Sequence, residues 1–141
     1  MNVADFVLDH RLAADTLPVC DLPLCRVLLM NDARFHWLVL VPRRPEAIEV
    51  PDLSPQDRAS LMNEISKTGV VLRTTVPCDK LNIGALGNIV PQLHVHIVAR
   101  RIGDAAWPGP VWGSGTAEPY PAGTADALAN RIADAFGASP S

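Results

Sequence analysis

Two histidines separated by a single residue, His94 and His96, lie in the stretch Gln92-Leu93-His94-Val95-His96-Ile97-Val98-Ala99-Arg100, where apolar and polar residues alternate. Alternation with period two is the signature of a strand. Leu93, Val95 and Ile97 are expected to face a core, and Gln92, His94 and His96 to share the opposite face. A row of two imidazoles and an amide can bind an anion when protonated or ligate a metal when neutral. It can also attack phosphorus if one imidazole is unprotonated and accessible. The same pattern fits a solvated strand face whose histidines are incidental. A metal site asks for more than the ridge offers, because zinc takes three or four protein ligands. His10 and His36 stand at arbitrary spacing, and Cys20, Cys25 and Cys78 form no Cys-x-x-Cys pair. No metal and no cofactor is assigned.

Just upstream lies Asn82-Ile83-Gly84-Ala85-Leu86-Gly87-Asn88. Glycine lets backbone N–H groups come close to an anion, and asparagine amides can donate to phosphate oxygens. The same residues also make an ordinary turn. Beside the histidine ridge, the loop has the composition of a phosphate cradle.

These groups need a scaffold. Cys25-Arg26-Val27-Leu28-Leu29-Met30 reads as a buried strand, Asn31-Asp32-Ala33-Arg34 as a turn, and Trp37-Leu38-Val39-Leu40-Val41 as a strand stopped by Pro42. Ser54 with Pro55 and Asp57 signals a helix start, followed by an apolar face at Leu61, Ile65, Gly69 and Leu72. Leu81-Asn82-Ile83 and Leu93 to Ala99 supply two further strands. Thr124 is expected to cap a last helix carrying Leu128, Ile132 and Phe136 on one face. The fold class predicted is α+β, an antiparallel sheet with helices packed on one side.

With 141 residues and 48% hydrophobic content, the chain suits one domain with a substantial core. A net charge of −3 is unlike the basic excess of proteins that hold bulk nucleic acid, whereas a small anionic ligand needs only a local cluster of donors. Three unpaired cysteines suit reduced thiols in a cytosolic protein, each a small buried apolar residue rather than a catalytic thiol. Met1-Asn2-Val3-Ala4-Asp5 carries no secretory signature and no segment has the length of a membrane span. The expectation is a cytoplasmic protein that does not engage a membrane. The end, Gly137-Ala138-Ser139-Pro140-Ser141, is expected to fray.

The stretch from Asn82 to Arg100 resembles the signature of the histidine triad (HIT) family, in which three histidines alternate with apolar residues after an Asn-x-Gly strand and a Gly-Gln type turn. Asn82-Ile83-Gly84 matches the first element, and Gly87-Asn88 matches the second with asparagine for glutamine. Val90-Pro91 also fits, and the loop between the two parts is shorter than usual. Leu38-Val39-Leu40-Val41-Pro42-Arg43 resembles the family's strand ending in proline and a basic residue. The likeness runs from about Cys25 to Arg100. Gln92 stands where the first triad histidine is expected; the galactose-1-phosphate uridylyltransferase branch carries a glutamine at the third position instead. Ala106-Trp107-Pro108-Gly109-Pro110-Val111-Trp112-Gly113 resembles the Trp-Pro tail of the family's nucleoside phosphoramidate hydrolases, which helps close the site, and equally suits a tail that only packs on the body.

The resemblance implies a HIT domain over residues 1–113, with 114–141 as a C-terminal extension bearing a short helix, and commonly a homodimer. It implies a hydrolase or nucleotidyl transferase acting on a nucleotide or dinucleotide at the α-phosphorus through a phosphohistidine intermediate. His94, at the middle triad position, would be the nucleophile, and His96 would contact phosphate oxygens. Gln92 and Asn88 would add neutral hydrogen bonds, with Gly87 in the phosphate loop. Asn82 would position that loop or touch phosphate, and Leu28, Met30 and Asn31 or Asp32 would border base and ribose. The alternative is a regulatory protein on the same fold that holds a nucleotide without turnover.

Overall fold

The computed structural model describes residues 5–138. Of the stretches expected to hold a leaderless start and a frayed end, residues 1–4 and 139–141 lie outside the described residues, whereas Gly137 and Ala138 do not fray but belong to the last helix. Five strands form one antiparallel sheet in the order β1-β2-β3-β5-β4: β1 Thr16–Asp21, β2 Cys25–Met30, β3 His36–Pro42, β4 Lys80–Gly84 and β5 Val95–Arg100. Helices α1 His10–Asp15, α2 Pro55–Thr75 and α3 Thr124–Ala138 complete the chain. None of the described helices is long and apolar enough to cross a membrane.

Strand alternation divides the core into two layers. Cys25, Val27, Leu29, Leu38, Leu40, Val95, Ile97 and Ala99 face α2 and α3, which contribute Leu61, Ile65, Leu72, Ala129, Ile132 and Phe136. Leu28, Trp37, Val39, Val41 and Val98 face the other way and are covered by Leu12 of α1, Phe35 and Val111. The two long helices therefore pack on one side, as the pattern predicts, and the second face is closed by α1, the β2–β3 turn and the segment that follows β5.

Ser54 caps α2 by accepting from the Asp57 N–H at 3.1 Å, with Pro55 at the first helical position. The last helix starts one residue earlier than expected. Thr124 is its first residue rather than its cap, and its hydroxyl donates to the Pro121 carbonyl at 2.7 Å. Ala125, Ala129, Ile132 and Phe136 form the buried face of α3, and Leu128 is only half-buried. The histidine strand starts later than expected. Pairing with β3 begins at Val95, and the Leu93 N–H donates to the Ala47 carbonyl at 3.0 Å, so His94 sits at the mouth of the strand. Strand β1 and helix α1 carry no clear signal in the sequence: β1 is an edge strand containing Pro18 and a bulge, and α1 is a six-residue helix whose Asp9 cap accepts from the Arg11 N–H.

The 101–123 segment runs from β5 across the second sheet face to α3. The turn between β2 and β3 stitches it down: Ala33 N–H donates to the Glu118 carbonyl at 2.6 Å, Tyr120 N–H to Asn31 Oδ1 at 3.0 Å, and Arg34 Nη1 to the Ser114 carbonyl at 2.7 Å.

Candidate active site

On the face away from α2 and α3, a cleft of about 850 Å³ opens over His94 and His96. Both imidazoles are only 6% exposed, so this is not a solvated strand face. Their rings meet edge to face with centroids 4.9 Å apart. The hydrogen bonds assign a role to each nitrogen. His94 Nδ1 lies 2.7 Å from the Gln92 carbonyl, which can only accept, so Nδ1 carries a proton. In the neutral ring, Nε2 of His94 then keeps its lone pair. His96 Nδ1 receives the indole N–H of Trp37 at 3.0 Å, so that nitrogen is bare. Burial, then the neighbouring His94, lowers the His96 pKa to about 4. At neutral pH His96 is uncharged with its proton on Nε2. As neutral rings the two imidazoles are thus held as opposite tautomers, one offering an acceptor and the other a donor.

Strand register explains how Trp37 reaches His96. Val39 pairs with His96 and Trp37 with Val98, which sets Trp37 diagonally beside His96 on the same face. Trp112 closes the other flank, edge to ring with His96 at 5.5 Å. That approach needs Gly84, the partner of His96 across β4, because a Cβ there would lie 3.1 Å from the Trp112 ring. Of the expected tail, Trp112 lines the cleft, whereas Trp107 sits 5.5 Å from the Arg100 guanidinium.

The rim is built from distant parts of the chain. On one side is the exposed loop of Leu86, Gly87, Asn88 and Ile89, with Gly87 in the left-handed region at φ 69°. Opposite stand Met30, Asn31, Asp32 and Arg34. Asp32 is buried and gripped by the Arg34 guanidinium at 3.0 and 2.8 Å. Burial raises its pKa, but hydrogen bonds led by that of Arg34 outweigh this and hold the carboxyl below its ordinary range. Arg11 of α1 also borders the cleft, clamped to Asp9. No cysteine lines it, and the three thiols are free. Among the described residues no group of three or more His, Cys, Asp or Glu could hold a metal ion.

The HIT domain model matches residues 11–103, which is well over half of the chain. The chain belongs to the histidine triad family. Solved histidine triad proteins from Sinorhizobium meliloti 1021 and Bradyrhizobium japonicum are each 49% identical to it, with TM-scores of 0.92 and 0.90. They cover 94% and 93% of this chain and 98% of their own. A third, from Marinobacter aquaeolei VT8, is 39% identical over 94% of this chain and 96% of its own, with a TM-score of 0.90. No curated protein matches the chain. The family is one of nucleotide-binding hydrolases and transferases.

In this histidine triad protein His94, His96, Gly87, Asn88, Met30 and Asn31 come together around the cleft. Gln92, Asn82 and Leu28 are not among its lining residues. The Gln92 amide turns away from the ridge: its Oε1 accepts from the Asp9 N–H at 2.8 Å and its Nε2 donates to the Val7 carbonyl at 2.9 Å. Asn82 accepts from Arg100 Nη1 at 2.9 Å. Leu28 is buried in the same core layer as Phe35 and Trp37. Trp37 and Arg11 were not expected at the site. Trp37 could have been found from its alternation with Val39 and Val41, given the β3–β5 register.

Proposed function

We propose that this protein is a nucleotide-phosphate hydrolase or nucleotidyl transferase acting at the α-phosphorus through a nucleotidyl-histidine on His94, with Gln92 standing at the first triad position. The observation that carries this is the opposed pair of tautomers. His94 Nε2 attacks phosphorus as the bond to the leaving group breaks, and the charge that develops on the ring is shared through Nδ1–H with the Gln92 carbonyl. The Nε2–H of His96, oriented by Trp37, donates to a phosphate oxygen as negative charge builds in the transition state. Water then hydrolyses the phosphorus–nitrogen bond to release a nucleoside monophosphate, or an acceptor phosphate takes the nucleotidyl group and frees the histidine. The Gly87-Asn88 loop cradles the phosphate, and the region of Met30 and Asn31 receives the nucleoside. The same proposal takes the protein as a cytoplasmic homodimer.

Quenching a reaction with labelled nucleotide in denaturant is expected to leave an acid-labile, base-stable adduct that His94→Ala lacks, with turnover abolished and folding intact. Normal turnover in His94→Ala overturns the mechanism. The fully committed Gln92 amide, which brings no titratable group to the cleft, favours a second reading in which the fold holds a nucleotide without turnover. Binding without turnover across a panel of adenosine and guanosine phosphates would select it.

A further inference from the structure

The Gln92 carbonyl accepts from the ring that the proposed reaction uses, while the side chain of the same residue is held at both ends by another part of the chain. Its amide spans the backbone of the segment before α1, accepting from Asp9 N–H and donating to the Val7 carbonyl. That segment is itself braced. The Asp9 carboxylate accepts from the Arg11 N–H at 2.8 Å and from the Arg11 guanidinium at 3.1 and 3.0 Å, and Arg11 Nη1 donates to the Ile89 carbonyl at 3.1 Å. Phe6 and Leu8 pack against the core layer beneath the cleft. Since sheet pairing begins only at Val95, no ladder bond orients the peptide that follows Gln92. Its N–H end is tied to Ala47, and its other anchor is the Gln92 side chain.

We infer that Gln92 is a positioning residue. By latching onto the Val7–Arg11 segment it holds the Cα end of the peptide whose N–H is tied to Ala47; the two anchors together fix the carbonyl, and the carbonyl fixes His94 with the proton on Nδ1 and the lone pair on Nε2. The inference rests on His94 being the nucleophile. It gives the amide at position 92 a task outside the cleft, so no contact with phosphate is needed, and it makes the N-terminal segment part of the machinery that sets the tautomer. Both bonds of the latch require an amide: a carboxylate keeps only the acceptor, and a thioether of similar length keeps neither.

The test is the tautomer of His94 in the free protein, read from its ring nitrogens by 15N NMR, beside steady-state kinetics on one nucleotide substrate. Wild type is expected to show Nδ1–H. Gln92→Met is expected to shift His94 largely to the Nε2–H form, with kcat falling about tenfold and KM nearly unchanged, the size expected when about a tenth of the rings keep Nδ1–H. Gln92→Glu, which keeps one bond, is expected to lie between them. It also serves as the reporter if Gln92→Met does not fold. A wild-type tautomer in a folded Gln92→Met or Gln92→Glu protein overturns the latch. If the tautomer shifts as expected but no form of the protein makes a histidine adduct, the latch stands and the hydrolase reading fails. If adduct and turnover persist while the tautomer never moves, the reverse holds.

Discussion

His96 should leave a distinct mark on how stability depends on pH. Its pKa is lowered from an ordinary 6.5 to about 4, first by burial and then by His94. Between these values the unfolded chain binds a proton that the folded protein refuses, so stability rises with pH across the window. The full benefit is present above about pH 6.5, is lost as pH falls toward 4, and does not change further below that. The separation corresponds to about 3 kcal/mol, of which about 2 kcal/mol disappears between pH 7 and pH 5. Because the ring is 6% exposed, solvent screening removes little of this. Urea unfolding of wild type and His96→Gln at pH 7, 6 and 5 provides the assay, the free energy at each pH coming from linear extrapolation. His36, whose pKa burial also lowers, adds a slope of the same sign to both proteins, so the difference between them isolates His96. Asp9 and Asp104, each held at about 2, lose their contribution only below the ordinary carboxylate value of 3.8. If His96→Gln loses stability as steeply as wild type between pH 7 and pH 5, the ring is not the buried neutral donor described here.

Three further outcomes follow from the packing and the donor set. Arg100, 1% exposed, pairs with Asp104 at 2.8 Å through Nε and Nη2 and donates to Asn82, so Arg100→Leu strands a buried carboxylate; thermal unfolding should register a loss of about 3–5 kcal/mol, much of it restored in an Arg100→Leu/Asp104→Leu double variant. Glu64 of α2 accepts from the Leu24 and Cys25 N–H groups at 2.9 and 2.8 Å, so Glu64→Ala should cost on the order of 3 kcal/mol in urea unfolding while turnover per folded molecule is unchanged, because the helix lies on the other side of the sheet. With two imidazoles and, among the described residues, no third ligand gathered beside them, turnover should survive dialysis against a chelator; loss restored by zinc but not by magnesium would show that an ion is required.

The helix-facing layer could be read from sequence because it follows local rules. The 3.6-residue spacing of Leu61, Ile65 and Leu72 and the alternation through Leu93, Val95 and Ile97 both place the expected residues in one core. The cleft could be read only in its floor. His94 and His96 announce themselves by spacing, but Trp37 bonds His96 across 59 positions and looks in sequence like any strand residue. The Gln92 amide shares the histidine alternation, yet its partners are backbone groups 83 and 85 positions away. Strand β1 hides because its burial follows no period of two, and α1 because a cap and one buried leucine make it rather than a repeating face. Long-range register and backbone pairing decide these parts, and neither is written in local spacing.

The 101–123 segment has a mechanical consequence. It begins at β5, presses Trp112 against His96, is stitched to the β2–β3 turn, and ends in a helix whose Ile132 and Phe136 are sunk in the opposite layer. A wall pinned at both ends behaves as a mould and not as a hinged door. The dimensions of whatever fits beside His96 are therefore cast on the far side of the sheet as well. Shaving Ile132 should broaden the range of accepted ligands without touching any of them.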